Sequence, residues 1–231
     1  MSSSAVSGTA RQERIRSALA SHPLYFILDE TLCTERTAAV LAGEALAAGV
    51  KMLQTRFKSI DLGSYLELAR HLRKLCTDNG CLLIINDQLD LALQSAADGI
   101  HVGSQDMAVA DIRALDNNLI IGRSVRTVED ALQAQADGAD YIGSGAVFAS
   151  TTKQTAAVIG IAGISAISSA ISIPLVGIGG INVGNCSDVL ASGAAGFCSI
   201  APFLACQDIG NLVLQFKTGS VQTGNVEGSR C

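Results

Sequence analysis

The chain has 231 residues, 48% hydrophobic and 16% charged, a balance that excludes a disordered polymer and suits one α/β domain. Its formal net charge of -5 and its lack of any long basic run exclude an extended nucleic-acid surface. No apolar run reaches the roughly 18 to 20 residues that a membrane-crossing helix needs, so the expected partners are small molecules and not a membrane.

In chain order, the first 20 residues are rich in Ser, Ala and Arg, with Arg11, Arg14 and Arg16 beside one acid, Glu13. Residues 1–22 read as a flexible segment or a first helix. An organelle transit peptide has a similar composition, and the expected compartment is otherwise the cytoplasm. Eight short apolar runs follow. They are LYFIL from Leu24, VKMLQ from Val50, LLIIN from Leu82, GIHV from Gly99, LIIG from Leu119, YIGSG from Tyr141, IPLVGI from Ile173 and GFCSI from Gly196. Between them lie stretches such as TAAVLAGEALAAG, LGSYLELARHLRKLC, VEDALQAQADG and GNCSDVLASGA, whose apolar residues recur at helical spacing. Gly49, Gly138 and Gly193 stand just ahead of strands, where a left-handed residue ends a helix. Eight uninterrupted alternations predict a single (β/α)8 TIM barrel over residues 23–216, with an open doubly wound sheet as the alternative. The polar, Gly-rich segment 217–231 reads as a disordered tail.

The seven cysteines, Cys33, Cys76, Cys81, Cys186, Cys198, Cys206 and Cys231, are odd in number and irregularly spaced. No zinc set is complete, and they read as small apolar thiols. His22 and His71 read as surface residues, and His101 as a structural histidine bonded to a neighbouring loop, with a catalytic base as the alternative.

A barrel of this kind places its active site at the C-terminal ends of its strands. The second strand ends in Gln54, Arg56 and Lys58, the third in Asn86 and Asp87, and the fourth is followed by His101, Gln105 and Asp106. The fifth ends near Ser124 and Arg126, and the sixth runs into Ser150, Thr152 and Lys153. Asp87 and Asp106 are placed either to share a hard cation such as Mg2+ or to cap the helices that follow them. Arg56, Lys58 and Lys153 are suited to phosphate oxygens, or are solvated loop charges. The segment IGGIN sets the N–H groups of Gly179 and Gly180 near an expected helix N-terminus, and Ile200 and Ala201 follow the last strand. Together these offer an anion site between the last two loops. No Ser-His-Asp or Cys-His arrangement stands out.

In this order the motifs QTRFK from Gln54, IINDQLDLAL from Ile84, ADGIHVGSQDM from Ala97, GADYIGSGAVFASTTK from Gly138 and IPLVGIGGIN from Ile173 resemble the thiamine phosphate synthase family. The resemblance spans about Leu24 to Ala205. It implies a transferase of thiamine biosynthesis that condenses an aminopyrimidine methyl diphosphate with a thiazole phosphate, releasing diphosphate. It further implies that Gln54, Arg56, Lys58 and Asn86 contact the pyrimidine diphosphate and that Asp87 and Asp106 bind Mg2+. Ser124 would approach the pyrimidine, while Ser150, Thr152 and Lys153 would lie in a closing loop. Gly180, Ile200 and Ala201 would hold the thiazole phosphate. Catalysis would rest on Arg56, Lys58, Ser124 and Lys153, and the family's habit implies a homodimer.

Three places depart from the family pattern. Arg123 and Arg126 flank Ser124 where the family has a small residue and Thr-His, Ser150 replaces Thr, and Ala201 replaces Ser. Alternative readings are a thiazole tautomerase of the same barrel group, another phosphate-sugar barrel isomerase, and a non-catalytic sensor of a thiamine precursor. The tautomerase would need neither the acid pair nor the diphosphate cations, and the isomerase would need a base inside a strand.

Overall fold

The computed structural model describes residues 8–34, 36–149, 157–204 and 206–219. Eight parallel strands pair in sequential order and close on themselves, so the sheet is a barrel and not the open alternative. The strands are β1 Leu24–Asp29, β2 Met52–Arg56, β3 Leu82–Asn86, β4 Gly99–Val102, β5 Ile120–Val125, β6 Tyr141–Gly145, β7 Leu175–Ile178 and β8 Gly196–Ser199. Each lies within or beside one of the eight apolar runs. Closure comes from β1 against β8, with Tyr25 opposite Cys198.

The helices are α1 Gly8–Ser21, α2 Ala38–Ala47, α3 Leu62–Asp78, α4 Leu89–Gln94, α5 Val109–Leu115, α6 Val128–Ala136, α7 Gly160–Ala170, α8 Cys186–Ala191, α9 Ala201–Leu204 and α10 Ile209–Gly219. Local chemistry sets several of their starts. Thr37, Asp61 and Thr127 cap α2, α3 and α6 by accepting from Val40 N, Ser64 N and Asp130 N. At the other ends, Gly49, Gly138 and Gly193 take φ of +103°, +97° and +95°, the left-handed geometry expected of them.

Side chains alternate along each strand, and this splits the core in two. Outward residues such as Phe26, Leu53, Leu83, Ile121 and Ile142 pack under the helices. Inward residues Tyr25, Met52, Ile84, Ile120, Tyr141, Val176 and Cys198 fill the barrel, joined by Ile15 and Leu19 of α1. Helix α1 is therefore an ordered plug for the N-terminal end, held there by ion pairs. Arg11 and Arg113 bracket Asp140, with Arg11 Nε–Asp140 Oδ1 at 2.9 Å and Arg113 Nη2–Asp140 Oδ2 at 2.6 Å. Arg14 and Arg73 pair with Asp98 in the same way. Each acid also accepts from a strand N–H, Asp140 from Ile121 and Asp98 from Leu83, both at 2.9 Å.

Two expectations are corrected. His22 is fully buried rather than at the surface, because α1 and α10 cover it, and its Nδ1 accepts from Leu24 N at 3.2 Å. The polar tail does not begin at Lys217. Phe216, buried against Phe197 and Phe203, carries α10 on to Gly219. His71 is exposed, as expected. Cys76, Cys81, Cys186 and Cys198 are buried free thiols, with Cys33 and Cys206 partly buried. Cys231 lies outside the described residues.

Candidate active site

The C-terminal rim gathers side chains from several strands. On β2, residues of one parity face inward, so Gln54 lies within the barrel and Arg56 lies one step nearer the mouth. Arg56 is partly exposed and anchored, its Nη1 donating to Asp29 Oδ2 at 2.5 Å. Asp29 ends β1 and is buried. Burial alone would raise its pKa, but hydrogen bonds from Thr31 and Arg56 hold it below the ordinary carboxylate range. The neighbouring Glu30 accepts from Lys58 N and Ser59 N, each at 2.9 Å, and so fixes the loop that carries Lys58. The sequence reading did not single out Asp29 or Glu30. The available signal was an acid pair at the end of the first strand.

Asp87 and Asp106 come together. Burial and then the adjacent Asp106 carboxyl push Asp87 above the usual carboxylate range, while Lys58 and Asn86 oppose the rise. Lys58 Nζ lies 3.7 Å from Asp87 Oδ2. Neither acid caps a helix. Gln88 and Ala108 occupy the N-cap positions of α4 and α5, and neither position has a side-chain cap bond. Asp106 instead accepts from Gly103 N at 2.7 Å, and Asp87 adopts φ of +61°, an unfavourable conformation for a residue with a Cβ. Two carboxylates in repulsive proximity on a rim with cations fit a hard divalent ion. Among the described residues no group of three or more His, Cys, Asp or Glu could hold a metal, so the remaining ligands would be substrate oxygens and water.

On the next strands His101 bonds to other strands and not to a loop. Its Nδ1 lies 3.0 Å from Tyr141 Oη and its Nε2 lies 2.9 Å from Ser124 Oγ. Loss of hydration, with Arg123 adding to it, lowers His101 to about 4, so the ring is neutral at pH 7. Arg123 donates to Gly103 O at 2.5 Å and thereby ties β5 to the loop bearing Asp106, while Arg126 is exposed.

The last two loops differ in part from expectation. Gly179 and Gly180 have φ of +100° and +67° and pack on the loop after β6, where a Cβ on Gly180 would lie 2.6 Å from Ala149 O. They are not at a helix N-terminus. The turn Ile181–Asn185 intervenes, closed by Asn182 N to Asn185 Oδ1 at 2.8 Å and Asn185 Nδ2 to Gly180 O at 3.0 Å, and α8 starts only at Cys186. Ser199 Oγ donates to Ile181 O at 2.7 Å, which brings partly exposed Ile200 and exposed Ala201 beside that turn. Ser150, Thr152 and Lys153 lie outside the described residues.

A cleft of about 770 Å³ opens at the opposite end of the barrel beside α1 and α3, lined by Arg14, Lys51, Arg73 and Asp98 among others. Arg14 and Arg73 there are engaged with Asp98, and Lys51 Nζ donates to Asn79 O at 2.6 Å, so the candidate site is the C-terminal rim.

Residues 24–203 match the family model described as thiamine monophosphate synthase. The chain is 42% identical over 187 residues to the thiamine-phosphate synthase of Chloroflexus aurantiacus, covering 80% of this chain and 87% of the relative. It is 41% identical over 190 residues to that of Methanocella arvoryzae, covering 81% and 90%. Among solved structures it is similar to thiamine phosphate pyrophosphorylase from Pyrococcus furiosus. The TM-score is 0.81 at 34% identity, over 90% of this chain and 98% of that one.

Proposed function

The chain belongs to the thiamine monophosphate synthase family, and on that premise we propose that it joins an aminopyrimidine methyl diphosphate to a thiazole phosphate, yielding thiamine phosphate and diphosphate. The observation that carries this reading is the rim itself. Arg56, Lys58, Asn86, Asp87 and Asp106 converge there, and no protein nucleophile was apparent in the sequence.

That inventory suits a dissociative substitution. The bond between the methylene carbon and the diphosphate oxygen breaks, and the diphosphate departs with the electron pair. The carbocation left behind is delocalised into the aminopyrimidine ring, and the thiazole ring nitrogen donates its pair to the methylene carbon. Such a reaction asks the protein to stabilise departing negative charge, hold two rings in line and keep water out. Arg56, held by Asp29, presents its guanidinium to the diphosphate, and Lys58 adds a point charge beside Asp87. Asn86 lies on the diphosphate side, while Gln54 and Ser124 face the pyrimidine. Gly180, Ile200 and Ala201 supply the thiazole phosphate subsite through backbone groups, and the replacement of a family Ser by Ala201 leaves its N–H in place. Mg2+, bound by Asp87 and Asp106, would supply further countercharge to the diphosphate. Ser150, Thr152 and Lys153 retain the closing-loop role that the resemblance gives them, and the same resemblance supports a homodimer.

The test is direct. Purified protein with both substrates and Mg2+ is expected to form thiamine phosphate, followed as thiochrome fluorescence, and to lose at least about a hundredfold in rate with EDTA or as Asp106→Ala. A folded protein that binds thiazole phosphate but forms no product would sink this reading in favour of the tautomerase or the sensor.

A further inference from the structure

The interior of the barrel holds a continuous chain of hydrogen bonds. Gln54 Nε2 donates to Tyr25 Oη at 2.7 Å, Tyr25 Oη lies 2.9 Å from Tyr141 Oη, and Tyr141 Oη lies 3.0 Å from His101 Nδ1. His101 Nε2 completes the chain 2.9 Å from Ser124 Oγ. It runs from buried β2 through β1, β6 and β4 to the exposed hydroxyl on β5.

Space has been made for it. A Cβ on Gly122 would lie 2.1 Å from Tyr141 Cζ, and one on Gly143 would lie 3.0 Å from His101 Cε1. Both rings therefore occupy volume that any other residue at these positions would fill. Tyr25 and Tyr141 meet edge to face, with ring centroids 5.9 Å apart.

Counting protons sets the direction. An amide nitrogen only donates, so Tyr25 Oη accepts from Gln54 and must pass its own proton onward. Among the described residues its other hydrogen-bond neighbour is Tyr141, which therefore accepts and donates its proton to His101 Nδ1. Nδ1 then carries no proton, the proton of the imidazole sits on Nε2, and Ser124 Oγ accepts it. The hydroxyl proton of Ser124 is left to point away from His101. At the other end, Gln54 keeps its carbonyl oxygen as an acceptor. A reversed chain would exchange these roles at both ends.

We propose that Tyr25, Tyr141 and His101 are positioning residues that lock Ser124 as a donor and Gln54 as an acceptor. That polarity matches the edge of an aminopyrimidine, which offers an amino donor next to a ring-nitrogen acceptor. The proposal rests on the reading that Ser124 and Gln54 face the pyrimidine, and it adds the device that orients them. No proton is transferred; the relay acts by excluding the wrong hydroxyl rotamer and amide orientation.

Only three histidines occur, so 15N-histidine NMR resolves the tautomer of His101 in the full chain without turnover. The wild type is expected to show Nδ1 unprotonated and Nε2 protonated, and Tyr141→Phe to mix the two tautomers. In steady-state kinetics Tyr141→Phe is expected to lower kcat/KM for the pyrimidine diphosphate roughly tenfold and to leave the KM for thiazole phosphate unchanged. In a Ser124→Ala background the same change should cost less than about twofold, because the relay acts through Ser124. An Nδ1–H tautomer in the wild type, or an equal penalty in both backgrounds, overturns the proposal. Should Tyr141→Phe fail to fold, Tyr25→Phe carries the same expectations and the wild-type tautomer still decides. Absence of product from the wild type would refute the synthase reading, whereas the NMR result stands apart from it.

Discussion

Asp87 combines two unfavourable features, a left-handed backbone at φ +61° and a carboxyl crowded by Asp106. Both are costly where they stand, and the metal-binding role proposed for the pair accounts for them. Asparagine tolerates that backbone conformation and removes the charge. Asp87→Asn is therefore expected to unfold at a higher temperature than the wild type in EDTA, while product formation falls by about a hundredfold. A lower melting temperature in EDTA would show that the acid stabilises the fold after all. Asp29 illustrates the converse case, a buried acid whose task is to hold Arg56. The acid pair is visible in the sequence, but the partner of Asp29 is not, because Arg56 is 27 residues away.

Among the elements, α1 does more than lead into the barrel. Its Ile15 and Leu19 complete the interior core, and Arg11 reaches Asp140, a carboxylate that also accepts from Arg113 and from Ile121 N. Removing one charge from such a buried triad leaves two guanidinium groups without their shared partner. Asp140→Asn should destabilise the protein by about 3 kcal/mol in urea unfolding, with activity per folded molecule preserved. A change under about 0.5 kcal/mol would mean that α1 is not tied to the barrel as described. Amphipathic spacing announced α2, α3 and α6, but it did not separate a plugging helix from a flexible leader at residues 1–22. The plug depends on contacts across 129 residues, which local periodicity does not register.

At the scale of the molecule, two neutral histidines give stability a pH signature. Burial, and then Lys217, lowers His22 to about 4, and loss of hydration lowers His101 to about 4. Depressed values mean that the unfolded chain binds protons first. The stability that these two rings contribute is thus fully present above about pH 6.5, is lost as pH falls toward 4, and levels off below that. The melting temperature should follow this course, and His22→Asn should remove part of the slope. A flat profile between pH 7 and pH 4 would contradict the neutral burial of both rings.

The alternation of eight apolar runs with helical stretches was enough to predict a closed barrel, because strands buried under helices on one face and in a packed interior on the other read as continuous apolar runs between amphipathic stretches. The order of polar residues at the strand ends located the rim, since strand polarity alone sends every C-terminal end the same way. The spacing of Asp87 and Asp106 left helix capping and metal binding both open, and capping was set aside only by the structure, which puts Gln88 and Ala108 at the N-caps and brings the two acids together. Likewise Tyr25 and Tyr141 stand in the sequence only as members of two apolar runs. Their hydroxyls form a directed chain only because closure of the barrel brings β1, β4, β5 and β6 around one interior, and distances across that interior are not written in any single strand.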